Sequence, residues 1–244
     1  MCVLRKIFVS LILFLLMSCS LCSCSNNKEE VVDIKIDDDC IVGSGYDLIQ
    51  AKEPEPGDMI VTFYTSEGII RAVLYPDKAP KAAENFIKHV QDGYYDGVKF
   101  HRIIPGFMIQ SGDPTGTGYG GESIWGGKFE TELPEGLYHF RGALAMARET
   151  ELDTNGSQFY IVQNPSLNVS EISATGIVRS AYLDFGGYPF LDDMKYTIFG
   201  QVFQGLDVVD AIAAKGSASG TPSETVVIEK ISITEYKLNI TEYK

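Results

Sequence analysis

From residue 58 onward this chain is cut into short β-prone runs, most of them ended by glycine or proline, and that pattern leaves few folds open to it. Met59 to Thr65 and Ile69 to Leu74 are two such runs, joined by Ser66-Glu67-Gly68 as a hairpin would be. Val98 to Ile104 and Phe107 to Ser111 are separated by Pro105-Gly106. Gly142 to Ala147, Gln158 to Gln163, Tyr196 to Val202 and Val226 to Tyr236 read as further strands. Helical periodicity appears twice. After Pro80, residues Ala83, Phe86, Ile87 and Val90 fall at i, i+3, i+4 and i+7, with Gly93 just past the end. Leu206 to Ala214 is the second helix, closed by Gly216. Eight strands and a helix near each end predict a mainly β fold. We expect a closed eight-stranded antiparallel β-barrel whose mouths are capped by two α-helices.

The start of the chain reads as targeting. Arg5 and Lys6 precede an apolar run from Ile7 to Met17, too short to span a bilayer but suited to a signal peptide. Leu16-Met17-Ser18-Cys19 and Leu21-Cys22-Ser23-Cys24 both have the form of a bacterial lipobox, in which a cysteine after a small residue takes a lipid. We read 1–23 as a lipoprotein signal peptide and Cys24 as the lipidated residue, with Cys19 as second choice. The polar Ser25-Asn26-Asn27 that follows Cys24 favours it. The expected location is the extracytoplasmic face of the cell membrane, held by the lipid anchor. Cys40 is then a lone thiol.

Residues 28 to 58 carry ten acidic and three basic side chains, so 24–57 reads as an acidic flexible tether. Asp37-Asp38-Asp39 lacks the alternating spacing of a calcium loop and reads as a solvated acidic face. The domain is expected over 58–237, and 238–244, which repeats Ile233 to Lys237 in part, as a C-terminal tail. A net charge of −13 argues against a nucleic-acid partner, which needs a basic face.

The chemistry concentrates in Phe100-His101-Arg102-Ile103-Ile104-Pro105-Gly106-Phe107-Met108-Ile109-Gln110. Together with Ala79 to Phe86, Thr154 to Phe159 and Phe199 to Val202, this segment resembles the cyclophilin family, and the four motifs come in that family's order. The resemblance covers about residues 58 to 236. It implies an eight-stranded barrel and peptidyl-prolyl cis-trans isomerase activity, with Arg102 as the catalytic side chain. It also implies a proline pocket from Phe107, Met108, Tyr160 and Leu191, with Ala147 and Arg148 along the peptide and His101 as a supporting neighbour. Phe190 and Tyr196 stand where the family usually has tryptophan and histidine, which puts tight cyclosporin binding in doubt. The only tryptophan, Trp125, does not fill that place. Arg148 stands for a common asparagine whose role runs largely through the backbone.

The residues support the same chemistry. Rotation about an X-Pro bond must overcome roughly 18–20 kcal/mol of amide resonance. No bond breaks, so neither nucleophile nor metal is called for. A guanidinium beside the prolyl nitrogen can donate to the lone pair that localises as the amide twists, and it stays charged at any working pH. Arg102, inside an apolar run, is that candidate, while Gln110 and Gln158 can hold the backbone around the bond. Alternation puts Met108 and Gln110 on one face and Ile109 on the other. Expected substrates are proline-containing segments of unfolded or exported proteins, bound by a monomer. No cofactor is expected.

Each residue has a plainer reading when taken alone: Arg102 as a surface cation, Phe107 and Met108 as core, Gln158 as a partner for buried backbone. Their joint order outweighs it. His101 is expected mainly to make a structural hydrogen bond. Residues 164–189 read as an insertion that includes a short helix within Ser170 to Leu183 and either modifies substrate choice or is a plain surface loop. Rival functions fare worse. The glycines from Gly116 to Gly121 lack the strand-to-helix context of a phosphate loop. His101, Asp113 and Ser157 lack a nucleophile elbow, and histidines 89, 101 and 139 have no metal-ligand spacing. The serious alternative is a catalytically idle cyclophilin-like peptide-binding module, or a holdase.

Overall fold

The computed structural model describes residues 35–237. The leader, Cys19, Cys24 and the 238–244 tail lie outside the described residues. Eight antiparallel strands form one curled sheet in the order β3-β4-β6-β5-β7-β2-β1-β8. Their ranges are β1 Met59–Thr65, β2 Gly68–Leu74, β3 Arg102–Ile104, β4 Met108–Ser111, β5 Ala143–Met146, β6 Phe159–Val162, β7 Ile198–Gln204 and β8 Ile228–Glu235.

The closed barrel expected from the sequence is instead a half-barrel with two edges, β3 and β8. Val98 to Ile104 shrinks to three residues of strand, because the residues before Arg102 turn to meet β8 through one isolated bridge, Lys99 with Val227. Hydrogen bonds from Phe100 N to Val226 O (3.0 Å) and from Ile228 N to Val98 O (2.8 Å) reinforce that seam.

Register sorts the side chains into two layers. Arg102 pairs with Gln110 and Gln110 with Tyr160, while Ile103 pairs with Ile109, Ile109 with Ile161 and Ile161 with Leu144. Directly opposed residues share a face. The isoleucine row therefore faces the main core, fully buried, and the Arg102 row faces the other way. Burying each side chain of the inner row stabilises the fold by about 1.5–3 kcal/mol. A one-residue slip would exchange the two rows, so the core fixes where the polar side chains emerge.

Among the described residues four helices accompany the sheet, where the sequence predicts two capping helices and a short one within 170–183. These are α1 Pro80–Gln91, α2 Gly176–Phe185, α3 Phe190–Asp193 and α4 Leu206–Ala213. α1 buries Phe86 against Phe63, Tyr95, Phe159 and Phe199, with ring centroids 5.3–6.0 Å apart. Its first amides are capped from afar: Lys81 N and Ala82 N donate to the Glu132 carboxylate at 3.0 and 2.9 Å.

The stretch expected as a flexible tether is ordered from Asp37 to Ala51, and its own residues explain why. Asp37 Oδ2 accepts from Gly205 N (2.7 Å) and Leu206 N (2.9 Å), capping α4. Asp39 pairs with the buried Arg141, which also holds Asp210. Cys40, Ile41 and Val42 are buried. The Cys40 thiol donates to Val202 O at 3.0 Å, and burial pushes its pKa up to about 12. Charge density suggested solvent, but each of these acids has a specific partner.

The insertion forms α2 inside 164–189 and packs with that N-terminal strap. Ile41, Ala51, Phe140, Ala181 and Tyr182 make a satellite core, against which Tyr46 and Phe185 also lie.

Candidate active site

Arg102 stands on edge strand β3, so its guanidinium reaches along the outer face without passing through the core. Gly220 makes room for it. With φ at +85° it adopts a backbone shape that favours glycine, and a Cβ there would lie 3.0 Å from Arg102 Cγ. The guanidinium lies 5.7 Å from the centroid of the Phe107 ring, and its Nη1 donates to Gln110 Oε1 at 3.2 Å.

That contact is the end of a directional chain. Gln158 Nε2 donates to the carbonyls of Gly118 (3.0 Å) and Gly120 (2.8 Å), which leaves Gln158 Oε1 free to accept from Gln110 Nε2 at 2.9 Å. Gln110 must then present its oxygen to Arg102. The loop at the far end is pinned by Asp113. Its carboxylate accepts from the amides of Thr115, Thr117, Gly118 and Gly120 and from two threonine hydroxyls. Burial alone would raise the Asp113 pKa, but donors from Thr115, Gly120 and Gly118 outweigh it and hold the group well below the usual carboxylate range.

Beside Arg102 opens a cavity of about 80 Å³. Phe107, Met108, Ala147, Tyr160, Leu191 and Tyr196 supply its apolar walls, while Arg102, Gln110 and Arg148 supply its polar ones. Nine of the twelve site residues named from sequence meet here. Gln158 lines instead an adjoining hollow of about 570 Å³, which shares Gln110, Ala147 and Arg148 with the first. Phe190 lies outside both, 61% exposed. On α3 successive side chains point about 100° apart, so burying Leu191 turns Phe190 to solvent. His101 also stays out of both cavities. Its ring nitrogens are buried, and no described residue meets strict hydrogen-bond geometry with them, though the Gln158 side chain lies near enough to favour the protonated ring. Ser157 Oγ donates to Gly112 O at 2.6 Å and Asp113 is occupied by the loop, so His101, Asp113 and Ser157 form no triad.

A family model for cyclophilin type peptidyl-prolyl cis-trans isomerases matches residues 60–233. A Staphylococcus aureus (strain USA300) protein described as a putative peptidyl-prolyl cis-trans isomerase is 44% identical over 191 residues, covering 75% of this chain and 96% of the relative. A Staphylococcus haemolyticus protein of the same description matches equally well. This chain is a cyclophilin-type peptidyl-prolyl cis-trans isomerase. A crystal structure of a cyclophilin-type isomerase from Cryptosporidium parvum is similar at 33% identity with a TM-score of 0.61, over 74% of this chain and 99% of that one. A second structure of that protein, obtained in the presence of the dipeptide Ala-Pro, gives 34% and 0.59 over 71% and 98%.

Within this isomerase the side chain of Arg148 does more than the backbone role expected of its position. Its guanidinium lies 4.4 Å from the Tyr196 ring centroid and donates to the carbonyls of Glu149 (2.8 Å), Thr150 (3.0 Å), Met194 and Lys195 (3.3 Å). It staples the end of β5 to the turn after α3, across the boundary of the two cavities. A long cation at that position was the available signal, since five donors in one plane can collect several carbonyls. Tyr160 is the other surprise. Its ring faces the cavity while its hydroxyl turns away, 2.9 Å from His139 Nε2.

Proposed function

We propose that Arg102 drives the isomerisation by donating toward the prolyl nitrogen of a peptide whose proline ring sits in the small cavity. The observation that carries this is the meeting of one guanidinium, steadied by a hydrogen bond to Gln110, with a largely apolar-walled cavity the size of a small ring. As the amide twists, its nitrogen pyramidalises and becomes an acceptor. A donor already aimed at it stabilises that state more than either planar isomer. The adjoining hollow gives room for a neighbouring side chain of the peptide, and the amides of Gln110 and Gln158 are at hand for its backbone. A proline-peptide isomerisation assay tests the reading. Arg102→Ala should lower turnover roughly 100-fold, the usual cost of one preorganised donor. Arg102→Lys should also lower it strongly, because an ammonium lacks the planar fork. Equal rates in all three proteins would remove Arg102 from the mechanism and favour an idle peptide-binding module.

The setting is a bacterial envelope. The two lipobox-like cysteines after an apolar leader support anchoring through Cys24, and the charge of −13 suits an exported domain. Clients there would be exported chains whose proline steps fold slowly. The domain is read as acting as a monomer. The mass of the mature N-terminus decides between Cys24 and Cys19, and light scattering checks the monomer.

A further inference from the structure

Tyr160 is a polar residue used as an apolar wall, which requires something to take its hydroxyl. His139 takes it, at 2.9 Å from Nε2. The His139 ring is buried, and its Nδ1 lies 2.7 Å from Asp192 Oδ1, an acceptor that also receives the His139 main-chain N–H at 2.9 Å. With the ring proton on Nδ1 donated to Asp192, Nε2 is left to accept the Tyr160 O–H. The phenol therefore points its proton away from the cavity, and burial, which raises the Tyr160 pKa well above its ordinary value, keeps it a phenol.

Asp192 joins this floor to the insertion. Its Oδ2 accepts from Tyr182 of α2 at 2.5 Å, and the next residue back, Leu191, is itself a cavity wall. Tyr188 N donates to His139 O at 2.8 Å, while the Tyr188 ring lies 4.4 Å from Phe107, another wall. Three walls from three elements, Tyr160, Leu191 and Phe107, thus refer their positions to one histidine.

We infer that His139 and Asp192 are positioning residues that set the shape of the proline cavity, and that Tyr182 lets the 164–189 insertion act on it. The inference rests on the isomerase site lying at this cavity. Neither His139 nor Tyr182 is in the nine-residue lining, so their action is through Tyr160 and Leu191.

The test separates binding from turnover for a proline peptide, measured by NMR titration and exchange spectroscopy on the full domain. Tyr160→Phe removes one oxygen and keeps the ring. His139→Asn keeps an amide near the Nδ1 position for Asp192 but no longer reaches Tyr160, whereas His139→Gln can reach Tyr160 again. Tyr160→Phe and His139→Asn should each raise the peptide Kd by about threefold to tenfold, the ordinary worth of one hydrogen bond, and should change Kd more than they change turnover of the bound peptide. The double variant should be no worse than either single, because both cut the same link. His139→Gln should recover part of the loss, and Tyr182→Phe, outside the cavity, should raise Kd by about twofold to threefold. Unchanged Kd in Tyr160→Phe, even with a lowered melting temperature, overturns the inference, and so do additive losses in the double variant. Arg102→Ala in the same series shows the opposite split, turnover lost with Kd kept. If instead Arg102→Ala leaves turnover intact, the isomerase assignment of the site fails first.

Discussion

The two sides of the groove are held by different physics. On one side Arg102 is exposed and is aimed by a file of neutral amides, Gln110 and Gln158, that ends on the loop around Asp113. On the other, Tyr160 and Leu191 are buried and are tied through His139 to Asp192. Both files end on a carboxylate, but one orients a charge and the other fixes a shape. An exposed side chain held by single hydrogen bonds can follow a peptide nitrogen as it moves. A close-packed wall cannot, because its neighbours leave no room. Under the proposed mechanism, the wall side holds the proline ring while the arginine side supplies the donor.

The strongest way to break the contrast is at Asp113. Asp113→Ala deletes the acceptor for four loop amides and two hydroxyls, and should destabilise the domain by roughly 3 kcal/mol or more. Denaturant melts read that cost. If the amide file depends on the loop, turnover should fall in the molecules that remain folded, with peptide Kd little changed. A fall in Kd-determined binding alone would mean that the loop shapes the cavity, and the two halves would not be separate.

Acid is the next probe, and it acts on the Arg102 side. Asp113 is held below the ordinary carboxylate range, so the unfolded chain takes up the proton first as pH falls. Its contribution is present above about pH 4 and is lost as pH drops further. Burial lowers the pKa of His101 despite the nearby Asp113 carboxylate, and burial lowers His89 likewise. For a histidine shifted down the sign is the same. Stability is full above about 6.5, the unfolded value, and declines below it as the unfolded state binds protons. Chemical melts across the acid range should therefore weaken in two stages. Asp113→Asn should remove the lower stage, and His101→Gln should reduce the upper one, leaving the part due to His89. A stability that is flat from neutrality down to about pH 4 would contradict the burial of both imidazoles.

Much of this was legible in the sequence, for reasons that differ by region. Alternation in Met108-Ile109-Gln110 follows from the two-residue period of a strand, which sends Ile109 to the main core and Met108 to a second buried cluster on the side where Gln110 emerges. Of the nine cavity residues, Arg102, Phe107, Met108 and Gln110 lie in one motif, and the other five came from the family resemblance, most of them on or beside a strand end. The closure of the barrel was not legible, because it turns on where residues 98 to 101 leave the sheet, and propensity is blind to that. The strap at 37–51 was misread because composition averages over charges, whereas Asp37 and Asp39 each meet one particular partner more than a hundred residues away. His139 was invisible for the same reason: its partners, Tyr160, Asp192 and Tyr188, are all distant in the chain, and nothing in its own neighbourhood marks it.

The smallest expected effect sharpens the contrast most, because it concerns two adjacent residues. Leu191 is 5% exposed and lines the cavity, whereas Phe190 is 61% exposed and does not. If shape on this side is set by packing alone, Phe190→Ala should change peptide Kd and turnover by less than about twofold and stability by no more than about 0.5 kcal/mol, as for ordinary surface positions. Leu191→Ala should cost about 2–5 kcal/mol in stability, as other buried leucines do, and should weaken peptide binding. A large binding loss at Phe190 would mean that the ring folds over the bound peptide, making α3 a mobile rim. The wall side of the groove would then follow its substrate as the arginine side does, and the division between gripping and following would fail at that one turn of helix.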